Sequence, residues 1–369
     1  MQKLKGPLDG LKVVSCSTAQ AGTVPYMLMA DLGAEVIKIE VPGIGDRSRS
    51  QGKIAGFPSS YFETNNRGVK SFTLNLKDPR SRRILHDLVR DADVFGQNFR
   101  PGAAEKNGFG YEDLRKVNPR IVYASVSGYG PDGPNCSLPG TDAMGQALGG
   151  IAEAFSTPGQ PLCTGIVSVA DETCAILTFG GILAALYNVR ETGVGQKVDT
   201  SLLGGQIRLM GWTLTTTMWR NSDPVTGQVR ITGTADRPSI SANFVDKDGK
   251  PFVFQLAGNK WEVAMHALGF FKELVDLKLG DLGVVVDSES MRKKMLKKLD
   301  ECFARDKRNH WIDLLRAADI VAAPINSLVE ASNDLDVLAN GYISEVEYPE
   351  YGKSIKVHGS PSSQPSAPL

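Results

Sequence analysis

The 369-residue chain is 41% hydrophobic and 22% charged, which provides a large core and, by length, two or three domains. Its 41 basic and 41 acidic residues cancel, which argues against a broad nucleic-acid footprint or an anionic membrane surface. Five cysteines (Cys16, Cys136, Cys163, Cys174, Cys302) with no C-x-x-C, and four scattered histidines with no H-E-x-x-H, speak against a disulfide scaffold and against a metal site. The predicted elements begin with a buried strand over 11–15, a helix over 22–32 stopped at Gly33, and a strand over 35–40 (EVIKIE). Strand, helix and strand so close together make a βαβ unit, hence a parallel sheet with right-handed crossovers. A helix over 81–91, a strand over 92–97, a helix over 111–117 and a strand over 120–125 continue the alternation of a doubly wound α/β domain. The first strand-to-helix turn, residues 16–22 (CSTAQAG), is not G-x-G-x-x-G, and no G-x-x-x-x-G-K-[ST] occurs, so NAD and ATP are not the obvious ligands.

Residues 128–150, rich in Gly and Pro, read as loop. A helix over 171–189 follows, then a turn over 190–196 and a strand over 197–201; the apolar run 175–189 is too short to span a bilayer and reads as a buried helix. Residues 210–219, with Trp212 and Trp219, read as a core helix. The polar stretch 221–236 reads as a linker, and 239–321 as a smaller α/β unit with a hairpin around Asp248-Gly249 and helices over 261–268, 288–305 and 308–318. The tail 360–369 reads as frayed. The N-terminal residues lack an apolar signal core, so the expected address is the cytoplasm, with no membrane and no nucleic-acid partner. The expected division is a large domain over 1–220, a linker over 221–238, a small domain over 239–325, and a linker and return segment over 326–369.

One carboxylate stands out. Asp171 precedes a long apolar run, where free N–H groups and the helix dipole favour a charged carboxylate; the position reads as a helix cap, ionised at neutral pH. A carboxylate so placed is also a candidate nucleophile toward a thioester carbonyl.

Residues 7–13 (PLDGLKV) open a series of motifs. It continues with 30–40 (ADLGAEVIKIE), Pro42 and Gly45-Asp46, then 66–71 (NRGVKS) leading to 74–77 (LNLK), 97–102 (QNFRPG), 118–125 (NPRIVYAS) with 127–130 (SGYG), 192–196 (TGVGQ) and 323–326 (APIN). In this order they resemble the class III coenzyme A transferases, the CaiB–BaiF family. The resemblance implies a Rossmann-like large domain, a smaller α/β domain and subunits interlocked in a dimer. It implies transfer of coenzyme A from an acyl-CoA, succinyl-CoA being one donor, to a carboxylic acid, with no permanently bound cofactor and no metal. The segment 168–175 (SVADETCA) matches the family's nucleophile motif and carries that role to Asp171, through an aspartyl anhydride and an aspartyl-CoA thioester.

By the same resemblance, coenzyme A lies along Gln20 and Ala21, along Leu74, Asn75, Leu76 and Lys77, and along Gln97, Asn98 and Phe99. Lys106 stands near the place of a family arginine and neutralises a phosphate without the planar fork; Lys77, Arg100, Arg47 and Arg49 are further cations for phosphates. Val41 carries no charge where some relatives have a basic residue, and the stretch around Gly258 has one glycine where some members have a Gly-rich lid. The chain stops soon after 359–361, where many relatives continue, which suggests either a homodimer or a heteromer completed by a related subunit. The alternative to a core helix at 210–219 bears on substrate: lining an acyl pocket, this segment would favour an aromatic or bulky acid. Two alternatives share the family: an α-methylacyl-CoA racemase, disfavoured because Gly140-Thr141-Asp142 has Thr141 where a basic His is needed, and a non-catalytic subunit of a heteromer.

Overall fold

A computed structural model describes residues 6–156, 164–165, 167–223 and 231–359; the expectations for the tail 360–369 and for Cys163 lie outside them. The chain divides into two compact units, one from the described residues of Met1–Ser156, Gln160–Pro224 and Ala339–Leu369, the other chiefly from those of Val225–Leu338.

The first unit is built on a parallel sheet of β1 (Lys12–Ser15), β2 (Glu35–Glu40), β3 (Lys70–Thr73), β4 (Val94–Gln97), β5 (Val122–Ser127) and β6 (Lys197–Ser201), in the order β3-β2-β1-β4-β5-β6. Successive side chains of a strand point to opposite faces, and both faces here are covered. Val14, Phe95 and Tyr123 pack on one face with Leu85, Val89 and Leu114. Their neighbours Val13, Val94 and Val122 pack on the other with Tyr26, Met29, Ile182 and Ala185. The helices of this unit are α1 (Val24–Asp31), α2 (Ser60–Asn66), α3 (Pro79–Arg90), α4 (Ala103–Lys106), α5 (Tyr111–Val117), α6 (Asp142–Leu148), α7 (Ile151–Ala154), α8 (Val169–Thr192) and α9 (Leu202–Arg220); α3, α4 and α5 cover the first face, α1 and α8 the second. This is the expected Rossmann-like sheet, with one addition: β3, whose residues are all exposed and so lack the apolar alternation that marks a strand.

Three expectations change. The Gly- and Pro-rich stretch 128–150 is not all loop, because α6 forms in it. Helix α8 runs for 24 residues from Val169, two residues before Asp171, to Thr192; by length and composition alone it is apolar enough to cross a membrane. It packs instead on α1, α9, β5 and β6 through a stripe of mostly small residues, Ala170, Cys174, Thr178, Ile182, Ala185 and Val189. Helix α9 is no core helix: Trp212 is 81% and Trp219 86% exposed, and the backbone kinks at Gly211 with φ 45°.

In the second unit β7 (Ile231–Thr234), β8 (Arg237–Val245), β9 (Pro251–Ala257) and β10 (Val321–Pro324) form an antiparallel sheet in the order β10-β9-β8-β7. Strand β7 lies within the stretch read as linker; pairing with β8, rather than apolar content, makes it a strand. The expected hairpin is present: Asp246 Oδ1 accepts from the amides of Asp248 and Lys250 (both 2.8 Å) across the turn. Phe244, Phe252, Phe254, Phe303 and Trp311 form the centre of this unit's core.

Gly96, in the middle of the parallel sheet, touches the buried Tyr26; an added Cβ would overlap the phenol ring. Gly96→Ala is expected to destabilise by ~2–4 kcal/mol in urea denaturation.

Candidate active site

In a doubly wound sheet ligands bind beyond the carboxyl ends of the strands, where the strand order reverses. Here the reversal lies between β1 and β4, and a cavity of about 740 Å³ opens there. Its wall takes Thr18–Ala21 after β1, Asn98–Pro101 after β4, Ser127 at the end of β5 with Gly128 after it, and Asp171 from α8.

The turn after β1 is held from β4. The amide of Asn98 clasps the backbone of Thr18, accepting from its N–H (3.0 Å) and donating to its carbonyl (2.8 Å). Gly22 lets this clasp close, since a Cβ there would lie 2.6 Å from the Asn98 amide nitrogen. Ala19, at the crest of the turn, has φ 62°, a left-handed conformation that a residue with a Cβ adopts at a cost and that clusters at functional sites. Thr23 Oγ1 donates to the Ala19 carbonyl and the carboxylate of Asp46 accepts from its N–H at 3.4 Å.

Asp171 is the third residue of α8, after the cap position Ser168. It does not cap the helix. The capping carboxylate is Asp142, at the start of α6, whose Oδ1 accepts from the amides of Ala170 (2.8 Å) and Asp171 (3.0 Å). Gln146, one turn along α6, donates to Asp142 Oδ2 and accepts from Gly165 N (2.8 Å), tying the segment before α8 to the same point. The Asp171 carboxylate is left without a hydrogen-bond partner among the described residues and lines the cavity. The expected full ionisation is also overturned: burial, then the charges of Asp142 and Glu172, push Asp171 up from its ordinary 3.8 to about 7.

The other expected residues divide. Gln20 and Ala21 line this cavity, and Gln20 is buried with its Nε2 donating to Glu172 Oε1 (2.5 Å), which ties the turn to α8 beside Asp171. Leu74, Asn75, Leu76 and Lys77 line a second cavity of about 390 Å³, and Thr18, Arg47 and Phe99 border both. Gln97 lines neither: it is buried, donating to Ser125 Oγ (2.9 Å) and accepting from the Phe99 amide (2.7 Å), so it fixes Phe99. Lys106 is exposed on α4 and also lines neither. Tyr61, from α2, was not singled out by any motif yet lines the cavity. Burial and then the charges of Asp171, Asp46, Asp142 and Glu172 push its phenol up to about 12, so at neutral pH it is a hydrogen-bond donor. Among the described residues no cluster of three His, Cys, Asp or Glu could hold a metal.

A family model described as CoA-transferase family III matches residues 8–369. The chain is 34% identical over 382 residues to acetyl-CoA:oxalate CoA-transferase of Acetobacter aceti, covering 99% of this chain and 93% of that protein. It is 33% identical over 350 residues to succinyl-CoA:glutarate CoA-transferase of Mus musculus, covering 94% of this chain and 78% of that protein. The crystal structure of a CaiB/BaiF family protein from Brucella suis superposes with a TM-score of 0.85 at 26% identity, covering 99% of this chain and 94% of that one.

Because folding raises Asp171 from 3.8 to about 7, ionisation favours the unfolded chain: the destabilisation is absent below about pH 4, grows between pH 4 and 7, and is complete above 7. Asp171→Asn is therefore expected to be more stable than the parent at pH 8, by roughly 1–3 kcal/mol, with the difference vanishing near pH 4 in denaturant titrations. A variant less stable than the parent at pH 8 contradicts the raised pKa.

Proposed function

The chain belongs to CoA-transferase family III and is a CoA-transferase, and from that premise we propose that it transfers coenzyme A between two small carboxylic acids through covalent intermediates on Asp171. The observation that carries this reading is the Asp171 carboxylate itself: aimed into the cavity, relieved of capping by Asp142, and more basic than an ordinary carboxylate.

On this route Asp171 attacks the thioester carbonyl of the donor, and the tetrahedral adduct expels coenzyme A as a thiolate, leaving a mixed anhydride of Asp171 and the donor acid. The thiolate then attacks the aspartyl carbonyl and expels the donor acid, giving an aspartyl-CoA thioester. The acceptor carboxylate attacks that thioester, a second anhydride forms, and the thiolate takes the acceptor acyl group, freeing Asp171. Thioester energy is conserved across the cycle. Tyr61 O–H is a donor for the oxyanion that develops at each attacked carbonyl. Coenzyme A fits along the smaller cavity past Phe99 and on to Asp171, with Gln20 at the thioester end. Gln97 serves by holding Phe99. Lys106 has no support in the cavity linings as a phosphate contact.

The acids are proposed to be small. The lining of the larger cavity is rich in polar residues, and the relatives' names point to oxalate and glutarate. Trp212 and Trp219, on which a preference for an aromatic or bulky acid would rest, are exposed and line neither cavity of this chain. Thr141 lines the larger cavity where a racemase needs a base, so epimerisation has no support here. The exposed apolar side chains of α8 and α9, Ile176, Tyr187, Trp212, Met218 and Trp219, support a dimer in which a second copy covers them.

Asp171→Ala is expected to lower transfer by at least ~10³-fold in an assay of succinyl- or acetyl-CoA with oxalate or glutarate, read by mass spectrometry. Hydroxylamine added during turnover of the parent should convert Asp171 to its hydroxamate; an unmodified Asp171 peptide under active turnover rules the covalent route out. The acid limb of kcat/KM is expected near pH 7. Deuterium exchange at the α-carbon without an acceptor acid would favour the racemase reading instead. Light scattering is expected to give twice the 39.7 kDa of one chain; a monomer refutes the dimer, and a mass reached only with a second related chain indicates a heteromer.

A further inference from the structure

Four charged side chains line the smaller cavity: Glu40, Asp46, Arg47 and Lys77. Both carboxylates are already compensated, and from behind. Glu40 receives Arg49 in a two-pronged contact (Nε 2.8 Å, Nη2 2.7 Å), with Ser71 Oγ and the Asp46 amide (both 2.7 Å). Burial alone would raise its pKa, yet these donors hold it down at about 2. Asp46, 1% exposed, receives the buried Lys38 ammonium at 2.5 Å. Neither Lys38 nor Arg49 lines the cavity. The wall therefore presents Arg47 and Lys77 as net positive charge.

The two arginines of this short turn thus have different fates. Arg49 is spent on Glu40, whereas Arg47 is exposed and has no carboxylate partner among the described residues. Arg47 opens the turn Arg47–Ser50, which Asp46 caps by accepting at Oδ1 from Ser48 N (2.9 Å). The same Oδ1 reaches the Ala19 amide in the left-handed turn. One buried carboxylate, itself held by Lys38, therefore fixes both the crest of the first turn and the backbone that carries Arg47. Lys77 lines only the smaller cavity and Arg100 only the larger; Arg47 borders both.

We propose that Arg47 is an anion-binding residue at the junction of the two cavities, its guanidinium receiving an oxyanion of the substrates; the inference rests on the coenzyme A transfer reading. A planar guanidinium matches the paired oxygens of a phosphate or a carboxylate, and a charge-assisted contact of this kind is among the stronger hydrogen bonds. Two substrate groups have that chemistry: the diphosphate of coenzyme A, and the second carboxylate of a dicarboxylic acid bound near Asp171.

The test uses Arg47→Gln and Arg47→Lys in the full chain. The side chain is exposed, so folding should be preserved, as circular dichroism and the urea midpoint check. Initial rates are measured with acyl-CoA and acid varied separately, using a dicarboxylic and a monocarboxylic acid, alongside calorimetric titration of free coenzyme A. If the diphosphate is the ligand, Arg47→Gln raises KM for acyl-CoA and Kd for coenzyme A by ~10–100-fold with every acid. If the acid is the ligand, KM for the dicarboxylate rises by that factor while the monocarboxylate and coenzyme A are unaffected. Arg47→Lys restores part of the loss in either case, because charge returns without the fork. All constants within twofold of the parent overturn the proposal while leaving coenzyme A transfer standing. A parent that binds coenzyme A through Arg47 but transfers nothing overturns the transfer reading alone. A parent that neither binds coenzyme A nor transfers overturns both.

Discussion

Everything at this site depends on one carboxylate accepting two backbone amides. Asp142 takes the free N–H groups of Ala170 and Asp171 at the start of α8, a role usually filled by a residue next to the helix in sequence. Because the cap comes from another helix, it leaves the neighbouring carboxylate uncommitted. It also sets a second negative charge beside that carboxylate in a half-buried setting, which, after burial, is the next largest reason that Asp171 holds its proton so strongly. Position and basicity thus have a common origin in the contact between α6 and α8.

The opposite wall is organised as economically. Four consecutive residues at the end of β4 each act on a different neighbour. Gly96 makes room for Tyr26, Gln97 ties Ser125 to the amide of Phe99, Asn98 clasps the backbone of Thr18, and Phe99 faces both cavities. The motif QNFRPG is thus largely a bracing element. Of its first three residues, which resemblance assigns to coenzyme A, only Asn98 and Phe99 reach a cavity wall.

Much of this was legible in the sequence where local chemistry decides the structure. The strands β1, β4 and β5 are largely apolar because both faces of the sheet are buried, β2 alternates apolar with charged residues, and the Asp248-Gly249 hairpin announces itself through turn residues. Asp171 stood out as a carboxylate at the start of an apolar helix. What sequence could not show was which carboxylate caps that helix, because Asp142 is 28 residues from Ala170 and sits in a stretch whose glycines and prolines signal loop. The same holds for Tyr61, which only the tertiary fold brings to Asp171. Strand β3 was missed because its exposed residues carry no apolar alternation, and α9 was misread because its tryptophans face outward. Arg47 and Arg49 look equivalent in sequence, and only the position of Glu40 separates them.

The unusual basicity of Asp171 bears on how a mixed anhydride would collapse. Such an anhydride has two carbonyls, and the returning thiolate can strike either. Attack on the donor's acyl carbon must expel aspartate, whose conjugate acid in this setting has a pKa of about 7. Attack on the aspartyl carbon instead expels the donor's carboxylate, which is free to leave the cavity and with it the burial and the charges of Asp142 and Glu172 that burden Asp171. A nucleophile kept poorly acidic by its surroundings would therefore tilt the partition away from regenerating the original thioester and toward release of the first acid.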